Sequence, residues 1–149
     1  MLGEALIDLH GVDGKGPGLG LLPVVTVFDE AKTVRHRAAA FSALHGQWAS
    51  LSQVEVRGYK IHHGQTAPHS VVAAASDVAH PVMPEGLAWQ NGAGNVLGLY
   101  LHGLFEDPRA LQALFGTATP TLDSVFDGLA DYIGRDFDPG VLQALMASE

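Results

Sequence analysis

Residues 95–108 read Asn-Val-Leu-Gly-Leu-Tyr-Leu-His-Gly-Leu-Phe-Glu-Asp-Pro, a strand pattern that runs directly into a helix start. Alternate residues of a strand point to opposite faces, so Leu97, Leu99 and Leu101 share one face. His102 lies on the other face, at the carboxyl end of the strand. In open α/β sheets, functional side chains gather at such strand ends. His102 is therefore a candidate catalytic residue, although a single histidine in this position is more often structural than catalytic.

The sequence around this stretch places strand patterns first and helices last. Asp107-Pro108 predicts a helix start, with Asp as the N-cap and Pro at the first helical position. Met1–Leu9 has leucines at helical spacing and is predicted as a helix without a capping signal. Ala38–Ser52 follows neither pattern. The other predicted elements are strands at Leu21–Phe28, Lys32–Arg37 and Val54–Gly64, a hairpin from Leu87–Gln90 to Asn95–Leu101, loops at 11–20 and 65–85, and helices at Thr121–Ile133 and from Asp138-Pro139 onward.

Length, composition and charge exclude several classes of protein. The 149 residues fit about one domain. Hydrophobic residues make up 47% of the chain, which is enough apolar material for a core and argues against disorder. The formal net charge is -8, and -6 of it comes from the segment that begins at Glu106, which contains eight acidic and two basic residues. Because nucleic-acid binding depends on clustered Lys and Arg, we expect no nucleic-acid partner.

Cysteine is absent from the 149 residues, which excludes a disulfide and a cysteine nucleophile among them. The start, Met1–His10, carries Glu4 and Asp8 and lacks the basic region of a signal peptide. The longest apolar run, Leu19–Phe28, is ten residues, whereas a membrane span needs about 20. We therefore expect a cytoplasmic protein with no membrane partner.

Two further patterns are weak signals for ligand binding. The Gly-rich loop Gly14–Gly20 leads into a strand, whereas a phosphate cradle needs a helix N-terminus after its glycines. Eight histidines include the pair His62-His63, but neighbours on a strand face opposite ways and do not readily share one metal ion. The sequence favours a surface loop and solvated or structurally bonded histidines.

Three motifs follow one another along the chain: Gly18-Leu-Gly-Leu-Leu-Pro-Val24, Gly58-Tyr-Lys-Ile-His-His-Gly-Gln-Thr66 and Gly98-Leu-Tyr-Leu-His-Gly-Leu-Phe105. Together they resemble the glutamine amidotransferase domain of cobyric acid synthases. The resemblance implies a partial flavodoxin-like class I glutamine amidotransferase fold, α/β, with a mixed, mostly parallel sheet and flanking helices. We treat 1–149 as a single domain, with a motif-bearing part at 1–116 and C-terminal helices in 117–149.

The resemblance makes His102 the catalytic histidine of a cysteine–histidine dyad that hydrolyses glutamine. A neighbouring base converts a thiol to a thiolate, and the imidazolium that forms can protonate the departing ammonia. Leu104 stands where many related amidotransferases have a glutamate. Lys60 replaces the family's usual glutamate in the second motif and reverses the charge there. The sequence assigns no role to the segment Tyr59–Gly64.

The family's nucleophile segment reads approximately Cys-Gly-Gly-Tyr-Gln-Met-Leu-Gly, and this chain begins Met1-Leu2-Gly3. The resemblance therefore places the cysteine five residues upstream of Met1 and implies a domain truncated at its N-terminus. Some of the glutamine-binding residues are expected in the same upstream segment. Without the leading strands, Leu21–Val27 is predicted as a central strand that lacks neighbours, and the chain is expected to aggregate.

The resemblance also implies partners and cofactors. In the intact enzyme, glutamine-derived ammonia amidates peripheral carboxylates of adenosylcobyrinic acid a,c-diamide, with ATP and Mg²⁺ bound at a separate synthetase domain. This portion is expected to hold no cofactor or metal, to be inactive alone, and to meet glutamine, the synthetase domain and its corrinoid substrate. The alternatives are a related amidotransferase acting on cobyrinic acid or on lipid intermediates, and a non-catalytic pseudoenzyme or metal-binding module.

Overall fold

Ten strands in the described part of the chain form three small sheets, and three α-helices follow the last strand. The computed structural model describes residues 1–11, 14–31, 33–62, 64–69, 78–117 and 120–147. The strands are β1 Ala5–Asp8, β2 Gly16–Pro17, β3 Val24–Phe28, β4 Thr33–Ala40, β5 Glu55–His62, β6 Gln65–Pro68, β7 Ala79–Pro81, β8 Ala88–Asn91, β9 Leu97–Leu99 and β10 Leu101–His102. The helices are α1 Pro108–Phe115, α2 Leu122–Asp136 and α3 Pro139–Ala147, and short 3₁₀ turns occupy Gly46–Leu51, Pro84–Gly86 and Leu104–Glu106. The predicted α/β class is confirmed.

The first sheet has the order β2-β1-β3-β6 and corrects the prediction for the start of the chain. The predicted helix over Met1–Leu9 is wrong, because β1 pairs in parallel with β3 from Ala5–Val25 to Asp8–Phe28. Leu9, which a buried helical face would cover, is 73% exposed. Backbone pairing with a neighbouring strand thus outweighs a short periodic pattern that lacks a cap.

The strand predicted over Leu21–Phe28 is confirmed as β3, but the prediction that it lacks neighbours is wrong. β3 lies between β1, which is parallel to it, and β6, which is antiparallel to it. Val24 and Thr26 of this strand are only 3% and 2% exposed. β3 therefore has a hydrogen-bonded neighbouring strand on each side.

The second sheet has the order β10-β5-β4 and carries His102. β4 and β5 pair antiparallel over their full lengths, from Thr33–His62 to Ala40–Glu55. The short strand β10 pairs with the other edge of β5, also antiparallel. The undecided segment Ala38–Ser52 divides into the end of β4, a connection and the first 3₁₀ turn.

The third sheet, β7-β8-β9, contains the hairpin that the sequence predicts, because β8 and β9 pair antiparallel around a turn after Asn91. The loop predicted over 65–85 is wrong in part. Gln65–Pro68 is β6 and Ala79–Pro81 is β7, while residues 70–77 of the predicted loop lie outside the described residues.

The prediction of a mostly parallel sheet is wrong for the described residues. Of the seven strand pairings there, β1–β3 is parallel and the other six are antiparallel. A parallel pair needs a crossover of a dozen or more residues, usually a helix. All three α-helices follow β10, so no α-helix in the described part connects one strand to the next.

Two apolar clusters form the core. The larger cluster includes Phe41, Leu51, Val56 and Leu101 and covers the inner face of the second sheet, with Leu97 and Leu99 packed against it. The smaller cluster consists of Leu22, Val24, Ala79 and Trp89, and Tyr100 packs on it. The leucines of 97–101 thus face the larger core together, as predicted. No helix within the described ranges combines the length and apolarity that a membrane span requires.

Candidate functional site

His102 is the last residue of β10, and its side chain is exposed. Leu101 beside it is 4% exposed and belongs to the larger core cluster, so β10 alternates one buried and one exposed side chain. Gly103 follows with φ +93°, a left-handed conformation that glycine adopts without a steric penalty. The structure therefore places His102 at an exposed strand end, as predicted, while its catalytic role stays a prediction.

Gly58 brings β5 close to the backbone of His102. A Cβ atom at Gly58 would overlap the carbonyl oxygen of His102, so a larger residue would separate the two strands. This explains in physical terms why the second motif begins with glycine. Gly58 thereby sets the position of β10, and with it that of His102.

His102 belongs to a row of three side chains on the outer face of the second sheet, the face turned away from the core. His102 pairs across the strands with Tyr59, and Tyr59 pairs with His36. The rings of His36 and Tyr59 lie 4.3 Å apart between centroids. Since directly opposed residues of antiparallel strands point to the same face, Tyr59 on the central strand lies between His36 and His102 in this row.

A cavity of about 480 Å³ opens beside this row, lined by Tyr59 and Gly103 and by the charged residues Arg57, Glu106 and Arg109, among others. The 3₁₀ turn after Gly103 folds Glu106 back, and a Cβ atom at Gly103 would lie 3.7 Å from a Glu106 carboxylate oxygen. Sequence reasoning missed Glu106, since its return depends on the turn. Leu104, where many related amidotransferases carry the acid, is 9% exposed and packs in the core.

Asp107 lines the same cavity and connects β5 to α1 through hydrogen bonds. Its carboxylate accepts hydrogen bonds from the backbone N–H of Arg57 at 2.8 Å and from that of Arg109, at the start of α1, at 2.9 Å. Burial by itself would raise the pKa of Asp107. The hydrogen bonds from the Arg109 side chain and from both backbone N–H groups, with the charge of Arg109, outweigh burial and lower the pKa of this carboxyl. Asp107 is therefore an ionised anchor between β5 and α1.

Three hydroxyl groups join the segment before His102 to the first sheet. The hydroxyl of Thr26 on β3 lies 2.8 Å from that of Thr66 on β6 and 3.0 Å from that of Tyr100, and Thr66 and Tyr100 also bond directly. Thr26 is 2% exposed, whereas Thr66 and Tyr100 are partly exposed. These bonds fix Tyr100, the residue between β9 and β10, against two strands of another sheet.

The other histidines in the described part of the chain are dispersed. His45 bonds to the carbonyl oxygen of Gly92 at 3.0 Å, and His69 lies 3.7 Å from a carboxylate oxygen of Glu4. The side chain of His62 and the whole of His63 lie outside the described residues. Within the part of the chain that the structure describes, no three His, Cys, Asp or Glu side chains gather as metal ligands do.

The Gly14–Gly20 loop does not fit a nucleotide. Gly16–Pro17 forms β2, and Gly18 donates a backbone hydrogen bond to the carbonyl oxygen of Glu4 at 2.7 Å. The loop then continues into β3, so its N–H groups do not converge with a helix N-terminus on a phosphate. The Gly14–Gly20 loop therefore does not form a binding site for ATP and Mg²⁺.

The chain matches the CobB/CobQ-like glutamine amidotransferase domain family over residues 1–110. This match covers most of the chain, and the chain belongs to that family.

Several relatives carry the name cobyric acid synthase. The chain is 79% identical over 147 residues to the cobyric acid synthase of Polaromonas naphthalenivorans (strain CJ2), a match that covers 99% of this chain and 30% of the relative. It is 71% identical to that of Polaromonas sp. (strain JS666 / ATCC BAA-500), over 99% of this chain and 29% of the relative. The chain thus spans about 30% of the length of these relatives. No solved structure matches the chain.

Proposed function

We propose that this chain serves as the glutamine amidotransferase portion of a cobyric acid synthase. The observation that carries the proposal is His102, exposed at a strand end that Gly58 and Gly103 position. Membership of the amidotransferase family and the names of the relatives support it. The overall reaction at this portion is glutamine plus water giving glutamate and ammonia.

His102 acts in this proposal as the general acid–base. Its imidazole takes the proton of a cysteine thiol, the thiolate attacks the amide carbon of glutamine, and the imidazolium returns the proton to the leaving ammonia. In the second step, water attacks the thioester that the first step leaves, and glutamate and the free thiol are released. The exposure of His102 suits this role, because its partner groups must reach it from outside the 149 residues, which contain no cysteine.

The ammonia is then used elsewhere in the proposed assembly. A synthetase domain that binds ATP and Mg²⁺ would activate the peripheral carboxylates of adenosylcobyrinic acid a,c-diamide for amidation. The chain's 30% share of its relatives' length is consistent with such a domain residing in the longer protein. The partners we propose are therefore glutamine, that domain and its corrinoid substrate.

The test compares glutamate and ammonia release by the 149-residue chain and by an extended protein in which a Gly-x-Cys-Gly-Gly-Tyr-Gln segment precedes Met1. We expect release from the extended protein alone, because a serine or water nucleophile without a built elbow and oxyanion hole is far less effective. The matched control is the extended protein with Ser in place of its cysteine. Release by the short chain, or release unaffected by that Ser, would contradict the proposal.

A further inference from the structure

Helix α2, Leu122–Asp136, carries large apolar side chains at intervals of three or four residues. Side chains at these intervals lie on one face of a helix. Asp127 and Asp131 lie on the opposite face, so the helix has one polar and one apolar side. The apolar side, here called the α2 stripe, consists of Leu122, Val125, Phe126, Leu129 and Tyr132.

The described part of the chain leaves the α2 stripe open to solvent. Its five side chains are each 49–57% exposed, and no residue of α2 is buried. Isolated helices of up to about 12–15 residues are marginal in water, because most helical stability in proteins comes from packing an apolar face. α2 has 15 residues. It therefore depends on a partner surface, and exposed apolar patches of this kind mark interaction sites.

The preceding helix, α1, packs in the core. It buries Ala110 and Leu111, and Leu114 packs against the larger core cluster. Gly116 then ends α1 in a left-handed conformation with φ +70°. No residue beyond Leu114 belongs to either core cluster within the described ranges. The core formed by the described residues therefore ends with α1, and α2 lies outside it.

The similarities to known proteins divide the chain at nearly the same place. The match to the amidotransferase family ends at residue 110, within α1. The cobyric acid synthase of Polaromonas naphthalenivorans matches 147 residues, a span that includes all of α2. The chain covers 30% of that relative, so most of the relative's length lies outside the match. The segment with the stripe is thus shared with a much longer protein, although it lies beyond the family match.

The α2 stripe is too small to hold a second copy of the chain firmly. Stable interfaces use about 20–30 residues a side and bury about 800 Å² per partner. The stripe offers five side chains. A contact within one longer chain avoids this requirement, because covalent linkage supplies an effective concentration in the millimolar range. A short apolar helix face therefore fits a docking site within a longer protein better than a stable dimer.

We propose that the α2 stripe docks the amidotransferase portion onto the synthetase domain of the longer protein. The partner surface is an apolar groove, which receives an amphipathic helix through residues spaced like Val125, Phe126 and Leu129. The polar side of α2, with Asp127 and Asp131, stays in water. The proposal rests on the proposed function in assigning this chain to a longer synthase, and its tests measure no glutamine hydrolysis.

The first test is photo-cross-linking in the Polaromonas naphthalenivorans synthase with this chain in place of the segment that it matches. Phe126→p-benzoylphenylalanine places the cross-linker within the stripe, and Asp131→p-benzoylphenylalanine on the opposite side is the control. We expect the Phe126 variant alone to cross-link, within one molecule, to peptides outside the 149 residues. Products confined to the 149 residues, products that join two molecules, an equal yield from the control, or no product would overturn the proposal.

The second test is hydrogen–deuterium exchange in the same longer protein and in the 149-residue chain at concentrations where it is monomeric. We expect the amides of Leu122–Asp136 to exchange at least about tenfold more slowly in the longer protein, since docking suppresses local opening. Leu129→Lys should remove most of this protection. Asp131→Asn, which changes the charge by the same amount on the opposite side, should retain it. Circular dichroism checks folding, and Val125→Thr replaces Leu129→Lys if that variant is unfolded.

Equal exchange in the two proteins, or protection that a folded Leu129→Lys variant retains, would contradict the docking surface. Docking and glutamine hydrolysis can also fail independently. A longer protein that gives the expected cross-link without releasing glutamate would contradict the proposed function alone. A longer protein that releases glutamate without the cross-link would contradict the docking surface alone.

Discussion

Gly58 is a residue whose missing side chain positions the candidate active site. A Cβ atom there would overlap the carbonyl oxygen of His102. We expect Gly58→Ala to lower the free energy of unfolding by about 1–3 kcal/mol, since overpacking forces the backbone to shift. Urea denaturation of the purified chain measures this.

Gly128→Ala is the matched control, because Gly128 lies in α2 and a Cβ atom there meets nothing within 4 Å. Alanine is favoured over glycine in a helix by about 1 kcal/mol, so this control should be neutral or stabilising. If Gly58→Ala proved as stable as the control, the close approach of β5 to β10 would not constrain His102.

The sequence could predict His102 because its position depends on local alternation. The leucines of 97–101 identify the buried face, and Gly103 marks the end of the strand. Tyr59 and Glu106 could not be placed in the same way. Tyr59 lies opposite His102 through the register between β5 and β10, and Glu106 is brought back towards Gly103 by a turn. Neither relation is encoded in the spacing of neighbouring residues.

Among the elements, the strongest local signals were confirmed and the weakest ones failed. Asp107-Pro108 begins α1, as the capping residues predict, and the helix predicted at Thr121–Ile133 is confirmed as α2. Met1–Leu9, which offers no cap, is not a helix, because its central residues pair with β3. Capping is a contact within a few residues, whereas strand pairing is decided by distant segments.

Asp107 connects the stability of α1 to pH. Because its pKa is lowered in the folded chain, its stabilising contribution is complete above the unfolded value of about 3.9 and is lost as pH falls through the lower folded pKa. Asp107→Asn should cost about 1–3 kcal/mol at neutral pH, because the NH₂ group that replaces one carboxylate oxygen cannot accept the hydrogen bond from the backbone N–H of Arg57. The Asp107→Asn variant should also lose less stability than the unmodified chain as the pH falls below about 4.

Chemical denaturation at neutral pH and below pH 4 measures both effects for the Asp107 variant. The control is Asp136→Asn, which removes an exposed carboxylate paired with Arg135. Exposed pairs contribute about 0–1 kcal/mol, so the control should change little. An unchanged acid profile in Asp107→Asn would show that another carboxyl governs acid unfolding.

At the scale of the whole molecule, α2 presents an apolar stripe that the described chain does not cover. None of its residues is buried. Five large side chains are each 49–57% exposed, namely Leu122, Val125, Phe126, Leu129 and Tyr132. The expected tendency to aggregate therefore has a physical basis in α2, since β3, to which the sequence attributes it, has two neighbours.

We expect the 149-residue chain to self-associate in a concentration-dependent manner. Val125→Glu combined with Leu129→Lys should shift it towards the monomer, because charges at these positions replace apolar surface while the i,i+4 pair supports the helix. Sedimentation velocity measures the change, with Asp131→Asn on the opposite side of α2 as the control. A wild-type chain that stays monomeric at high concentration would contradict this expectation.

The most direct test of the central claim, that His102 is the acid–base of glutamine hydrolysis, is the rate of glutamate release by the extended protein and its histidine variants. His102→Ala should lower turnover by at least about a hundredfold, the lower range for a lost general acid–base. His62→Ala and His63→Ala, in the neighbouring motif, should retain most of the activity. A His102→Ala protein that releases glutamate at the unmodified rate would show that the catalytic base is another residue.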